Sequence, residues 1–185
     1  IMRCDNIISQ LLDFSRSKQL QCQSGDLDEW LTGVVEEEAK KLPAQVTVEL
    51  ALGLDGKTVP FDPSRLQRAV INMMSNAVEA MVSGGDQLLT SGQQPPKLVI
   101  STYEKNSHCS VRIVDNGPGI PTEVLERIRE PLFTTKSFGT GLGIPAIEQI
   151  AVQHGGRLDI STEVGVGSTF TIWMPMKPME EEKAA

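Results

Sequence analysis

Two periods of apolar residues run through this chain, and the switches between them mark its elements. Ile7, Ile8, Leu11, Leu12 and Phe14 follow a helical pattern that starts near residue 2. This stripe has no local partner, so it reads either as a docked terminal helix or as the tail of a longer helical hairpin. Residues 19–25 are polar and read as a linker. Residues 28–41 predict a helix, with acid in its first turn and Lys40-Lys41 at its end, as the helix dipole favours. Val46, Val48 and Leu50 alternate with polar neighbours, so 45–52 predicts a strand. A short strand over 58–60 follows the Asp55-Gly56 turn. Asp62 and Pro63 suit the N-cap and first position of a long helix reaching about Met81.

Residues 83–96 are rich in Gly, Ser, Gln and Pro and read as a long loop. Residues 97–103 and 109–115 predict a hairpin around Lys105-Asn106-Ser107, and 121–130 a short helix. Residues 131–141 lack periodicity. A helix over 144–154 is ended by Gly155-Gly156. Strands over 157–162 and 168–174 follow, joined by Gly165-Val166-Gly167, and the tail from Lys177 is charged. Helices interleaved with hairpin-linked strands predict an α+β sandwich, one mixed sheet covered by helices on one face.

Composition narrows the function classes. The length of 185 residues fits one domain with an appended segment. Aromatics make up only 4%, so the core must be mostly aliphatic. A net charge of −7 disfavours nucleic acid, which needs a basic face. It does not exclude a nucleotide, whose phosphates can be met by Mg²⁺ and backbone N–H groups. Cys4, Cys22 and Cys109 have no metal or redox spacing, which fits a reducing, cytoplasmic setting. No apolar run approaches the ~20 residues of a membrane span. The chain opens mid-pattern at Ile1, so a fragment of a longer protein is expected.

The candidate chemistry lies on one helix and two glycine turns. On the long helix Leu66, Val70, Met73, Ala77 and Met81 form an apolar stripe, while Arg65, Arg68, Asn72, Asn76 and Glu79 form a polar line. Asparagine is a mediocre helix former, so Asn72 and Asn76 in mid-helix are either solvated or functional. A neutral amide oxygen is a hard ligand suited to Mg²⁺ beside phosphates. Asp115 ends an apolar strand and enters Asn116-Gly117-Pro118-Gly119, which is either an ordinary β-turn or an adenine site. In the second reading the carboxylate accepts from the adenine amino group. Gly117 and Gly119 would then let the backbone approach the purine, and Ile120 would touch the ring. Gly139-Thr140-Gly141-Leu142-Gly143 precedes a helix with Pro145 in its first turn, a pattern suited to an anion. Its spacing is neither a Walker loop nor a dinucleotide fingerprint. Lys136 is either an exposed loop lysine or a point charge for a terminal phosphate.

These segments resemble, in order, the boxes of the histidine-kinase ATP-binding domain. Asn72-Met73-Met74-Ser75-Asn76-Ala77-Val78-Glu79-Ala80 is similar to the N box. Asp115 to Ile120 resembles the first glycine box and Pro131-Leu132-Phe133-Thr134-Thr135-Lys136 the F box. Gly139 to Gly143 resembles the second glycine box, and Gly165-Val166-Gly167-Ser168-Thr169-Phe170 the last. The superfamily groups gyrase, heat-shock chaperone, histidine kinase and mismatch-repair ATPases. The Glu79-Ala80 and Thr134-Thr135-Lys136 variants look most like the nitrogen-regulator type of sensor kinase.

The resemblance implies a Bergerat-type two-layer sandwich over about residues 26–176, binding ATP with Mg²⁺ under a lid. It carries over Asn76 as Mg²⁺ ligand with Asn72 beside it, Asp115 as the adenine-reading acid and Gly119 as a close backbone contact. Thr169 would support the adenine, and Gly141, Leu142 and Gly143 would offer N–H groups to phosphates. Phe133, Thr134, Thr135 and Lys136 belong to the lid, with Gly139 and Thr140 at its end. ATP-hydrolysing relatives place a glutamate four residues before the Mg²⁺ asparagine; here that position is Asn72, which cannot act as a base. This favours phosphoryl transfer over an ATP-driven switch, with a protein-serine kinase of the anti-sigma-factor branch as a further alternative. Glu79 reads as a structural ion pair or cap. His108 and His154 read as surface or capping residues, not as the phosphoacceptor. Residues 1–20, above all Leu11 to Arg16, resemble the end of the second helix of a dimerisation and phosphoacceptor hairpin. The expected partners are that hairpin, as part of a homodimer, and a response regulator; residues 21–25 link the parts and 177–185 form a tail.

Overall fold

A computed structural model describes residues 20–82, 90, 94–136 and 139–177. The expected first helix, most of the 83–96 loop, Ser137 in the lid and the tail beyond Lys177 lie outside the described residues.

Strand β1 (Gln23–Asp26) opens the described fold. Helix α1 (Leu27–Ala39) follows at once, capped by Asp26, whose side chain accepts from the amides of Asp28 and Glu29. Strands β2 (Thr47–Ala51) and β3 (Thr58–Phe61) lead into the long helix α2 (Pro63–Val82). Strands β4 (Lys97–Lys105) and β5 (His108–Asp115) form the expected hairpin. The short helix α3 (Thr122–Leu125) and helix α4 (Gly143–Gln153) precede strands β6 (Arg157–Glu163) and β7 (Gly167–Pro175).

Five strands form one mixed sheet in the order β2-β4-β5-β7-β6. Only β2 and β4 run parallel, because β3 and α2 intervene and carry the chain back. Cys109, Val111 and Ile113 on β5 stand opposite Met174, Ile172 and Phe170 on β7, and all six are buried on the helix-covered face. The α2 stripe Leu66, Val70, Met73, Ala77 and Met81 is buried against that face, as its spacing predicts. This is the expected α+β sandwich.

Three local expectations are corrected. Residues 21–25 are not a linker throughout: β1 pairs antiparallel with β3, Gln23 opposite Phe61 and Asp26 opposite Thr58. Its polar side chains carry no apolar signal, since backbone groups make the pairing. The strand pairing therefore reaches back to Gln23. The expected helix over 121–130 is a single turn, Thr122–Leu125, none of whose residues is buried. Without a buried face a short helix gains too little packing to propagate. The hairpin turn is Asn106-Ser107 alone, both left-handed at φ 51° and 61°, the geometry that matches strand twist.

His154 locks two helix ends together. Its Nε2 accepts from the Asp62 amide at 3.0 Å, and Nδ1–H donates to the Ile150 carbonyl at 2.7 Å. Asp62 in turn caps α2 through the Arg65 amide and accepts from the Gln21 amide at 2.9 Å. The neutral imidazole is thus a buried cap. Burial lowers its pKa below the usual 6.5, although the Ile150 bond and the Asp62 charge oppose the shift. A depressed folded-state pKa gives stability that is complete above the unfolded value and is lost as pH falls through the folded one. His154→Ala leaves the Asp62 amide unpaired and is expected to cost about 2 kcal/mol at neutral pH. In urea titrations the gap between wild type and variant should narrow below pH 6.5.

Candidate functional site

Asp115 ends β5 directly opposite Ser168 on β7. Its Oδ1 accepts both the Gly117 amide at 2.9 Å and the Ser168 amide at 3.2 Å. Among the described residues Oδ2 takes no hydrogen bond, so the carboxylate is oriented with one acceptor to spare. Asp115 is only 5% exposed. Burial pushes its pKa above the ordinary aspartate value, partly offset by the two amide bonds.

The glycines of this turn are demanded by packing. A Cβ at Gly119 (φ 73°) would lie 2.2 Å from the Glu163 carbonyl oxygen, and one at Gly117 would lie 2.8 Å from Asp115 Oδ1. Close approach to the β6–β7 turn and to Asp115 itself thus requires glycine at both positions. Pro118 accepts from the Gly165 amide at 2.8 Å, and the Ile120 amide donates to Thr162 Oγ1 at 2.8 Å. Thr162 also bonds the Ser168 hydroxyl at 3.1 Å. Asn116 fastens the loop to the start of β4, accepting from the Lys97 amide and donating to the Pro95 carbonyl.

Thr169 is not beside Asp115. It pairs with Val114, so strand alternation turns its side chain to the opposite sheet face. Ser168, which the sequence reading passed over, occupies the place assigned to Thr169. The parity of the Asp115 and Ser168 positions, counted through the buried pair Ile113 and Phe170, was the signal that could have found it.

At the other end, α2 and α4 bring the asparagine helix to the second glycine turn. A Cβ on Gly143, the first residue of α4, would lie 3.6 Å from Asn76 Nδ2 and 3.8 Å from its Oδ1. The amide thus lies against the N-terminus of α4, where unpaired backbone N–H groups favour anions. Asn72 is one turn earlier and, like Asn76, half-buried. Gly141 has φ 66°, and a Cβ there would strike the Leu132 backbone at 2.4 Å. Leu132 itself is left-handed at φ 68° and donates its amide to the Gly141 carbonyl. The Leu142 amide faces Thr140 Oγ1 at 3.4 Å, a contact weak enough to exchange for a phosphate oxygen.

The F-box segment folds over its own backbone. Thr134 Oγ1 accepts the Lys136 amide at 3.1 Å, and the Gly139 amide donates to the Lys136 carbonyl at 3.1 Å. Phe133 sits under the Arg127 guanidinium, 4.2 Å from ring centroid to Cζ, and Thr135 is exposed. Lys136 Nζ meets Glu79 Oε2 at 2.5 Å, which makes Glu79 the ion-pair partner its position suggested. The site therefore has two poles, a buried acceptor at Asp115 and an amide-rich corner at Asn76, Gly143 and Lys136.

Comparison with known proteins identifies the family. Residues 61–178 match the family model described as histidine kinase-, DNA gyrase B- and HSP90-like ATPase. The chain is 31% identical over 179 residues to sporulation kinase C of Bacillus subtilis, covering 96% of this chain and 39% of that protein. It is 29% identical to the sensor histidine kinase ZraS of Escherichia coli, covering 94% of this chain and 35% of ZraS. The chain thus spans well under half the length of these relatives. In structure it is similar to the catalytic domain of the histidine kinase ThkA, with TM-score 0.69, 26% identity, and coverage of 86% of this chain and 98% of that domain's chain.

Proposed function

This chain belongs to the family of histidine kinase-, DNA gyrase B- and HSP90-like ATPases, and from that premise we propose that it is the ATP-binding catalytic part of a sensor histidine kinase. It hands the γ-phosphoryl group of ATP to a histidine elsewhere in the full protein. The observation that carries this reading is the closeness of Asn76 to the first residue of α4, where a Cβ would lie 3.6 Å from its Nδ2.

Asp115 Oδ2 is the acceptor for the adenine amino group, and the amides of Gly117 and Ser168 hold the carboxylate for it. Ile120, packed against the core, borders this end. The N–H groups from Gly139 through Gly143 and the start of α4 meet the phosphates, and Lys136 adds a point charge. Phe133, Thr134, Thr135 and Thr140 shape the loop around them. The residues present fit magnesium: Asn76 offers a hard neutral oxygen that adds no charge beside a triphosphate. When bound, the ion neutralises and orients phosphate oxygens. Asn72 supplies no base for water, which favours transfer to an imidazole nitrogen: an N–P bond forms as the bond from the γ-phosphorus to the ADP oxygen breaks. The Glu79-Ala80 and Thr134–Lys136 variants support the nitrogen-regulator type.

The partners that follow are the phosphoacceptor hairpin of a homodimer and a response regulator. Cytoplasmic ATP places this part of the protein in the cytoplasm. Among the described residues no helix is long and apolar enough to cross a membrane. The test is to supply the hairpin in trans with Mg-ATP labelled at the γ-phosphate. Acid-labile label on a histidine of the hairpin is expected; steady phosphate release without hairpin labelling would instead indicate the hydrolysing branch.

A further inference from the structure

Among the contacts at the phosphate pole, the ion pair between Glu79 and Lys136 has no role in binding or transfer as described above. Glu79 follows Asn76 by three residues on α2, which puts both on one helix face within a turn. Its Oε2 stands 2.5 Å from Lys136 Nζ. We propose that Glu79 is a positioning residue, holding the Lys136 ammonium beside Asn76 so that it meets the terminal phosphate of ATP. This rests on the nucleotide-binding reading of the same site.

Three physical points support it. First, Lys136 is held at both ends: its amide and carbonyl are fixed by Thr134 Oγ1 and the Gly139 amide, and its head by Glu79. A free lysine must order a long flexible stem before it can bind, and here that ordering is largely done. Second, an ammonium has three donors, and one bond to Glu79 leaves donors for phosphate oxygens. Third, a lone carboxylate one turn from Asn76 would repel a triphosphate. Paired with Lys136, Glu79 forms a unit of no net charge whose ammonium keeps donors for phosphate.

Glu79 and Lys136 are half-exposed, so solvent screening keeps the effect moderate. Calorimetry with Mg-ATP and Mg-ADP on wild type, Glu79→Gln, Glu79→Asp, Lys136→Gln and the double glutamine variant tests the idea. Glu79→Gln is expected to weaken ATP binding about fivefold while ADP, which lacks the γ-phosphate, changes much less. Glu79→Asp should recover part of the loss, and the double variant should match Lys136→Gln alone. An unchanged ATP-to-ADP ratio in Glu79→Gln would overturn the proposal, as would losses that simply add in the double variant. Tighter ATP binding by Glu79→Gln would show that Glu79 competes with phosphate for the lysine, and would overturn it too. If wild type bound neither nucleotide, the nucleotide reading itself would fall; if it bound both and only the Glu79 effects were missing, the positioning role alone would fall.

Discussion

Asn76→Ala is expected to reduce γ-phosphoryl transfer to the supplied hairpin by about a hundredfold or more, because charge stabilisation by a bound metal is worth several kcal/mol. The Asn76 amide lies close to Gly143 at the start of α4, where the proposed reading puts the phosphates. Glu79, the one acidic side chain of α2, is engaged by Lys136. Alanine favours helix, and Asn76 sits in mid-helix, so the variant should fold at least as well as wild type. Binding of ADP in EDTA, which reports the adenine pole without metal, should stay close to wild type. A variant that kept most of its transfer rate would move the metal to other ligands. One that lost metal-free ADP binding equally would show that Asn76 shapes the whole pocket.

Asp115→Asn is expected to weaken adenine nucleotide binding by about a hundredfold. Asparagine has nearly the shape of aspartate but only one acceptor oxygen. The Gly117 and Ser168 amides would claim that oxygen, as they claim Oδ1 now. The side-chain NH₂ would then face the adenine amino group, donor against donor. Stability should move the other way. The folded-state pKa of Asp115 is raised, so its contribution to stability is complete below the unfolded aspartate pKa and lost as pH rises through the folded one. At neutral pH the buried charge is a net cost, and Asp115→Asn should melt no lower than wild type. Wild-type nucleotide affinity should in turn fall on acidification, beginning above the pH at which an ordinary aspartate protonates. Unchanged affinity in Asp115→Asn would place the adenine pole elsewhere; a large loss of melting temperature would make Asp115 a structural group instead.

The parts legible in the sequence were those with a local physical signature. Asp62-Pro63 and an apolar stripe from Leu66 to Met81 define α2 almost to the residue, because cap chemistry and helical period agree. Two candidate poles stand out because glycine turns and mid-helix asparagines are uncommon without a reason. What could not be read depends on contacts distant in sequence. Strand β1 is polar and exists only because β3 pairs with it. Ser168 differs from Thr169 only in which sheet face it occupies, and that follows from register with β5. His154 reads as a surface or capping residue from its Gly155-Gly156 neighbours alone; its burial needs Asp62, 92 residues away. The overextended α3 shows the converse case, where local propensity continues but no buried face supports it.

The last strand has a further consequence for how the protein is made. Strand β7 is the final element of the described chain, yet it lies inside the sheet, between β5 and β6. Until it inserts, β6 has no neighbour in that sheet, β5 shows an open edge, and Asp115 lacks the amide that helps aim it. A ribosome delivers residues in order, so a nascent chain that has completed α4 and β6 still leaves Asp115 without the Ser168 amide. If Asp115 reads adenine as proposed, nucleotide capture, and any stabilisation that it brings by mass action, strengthens once β7 is in place.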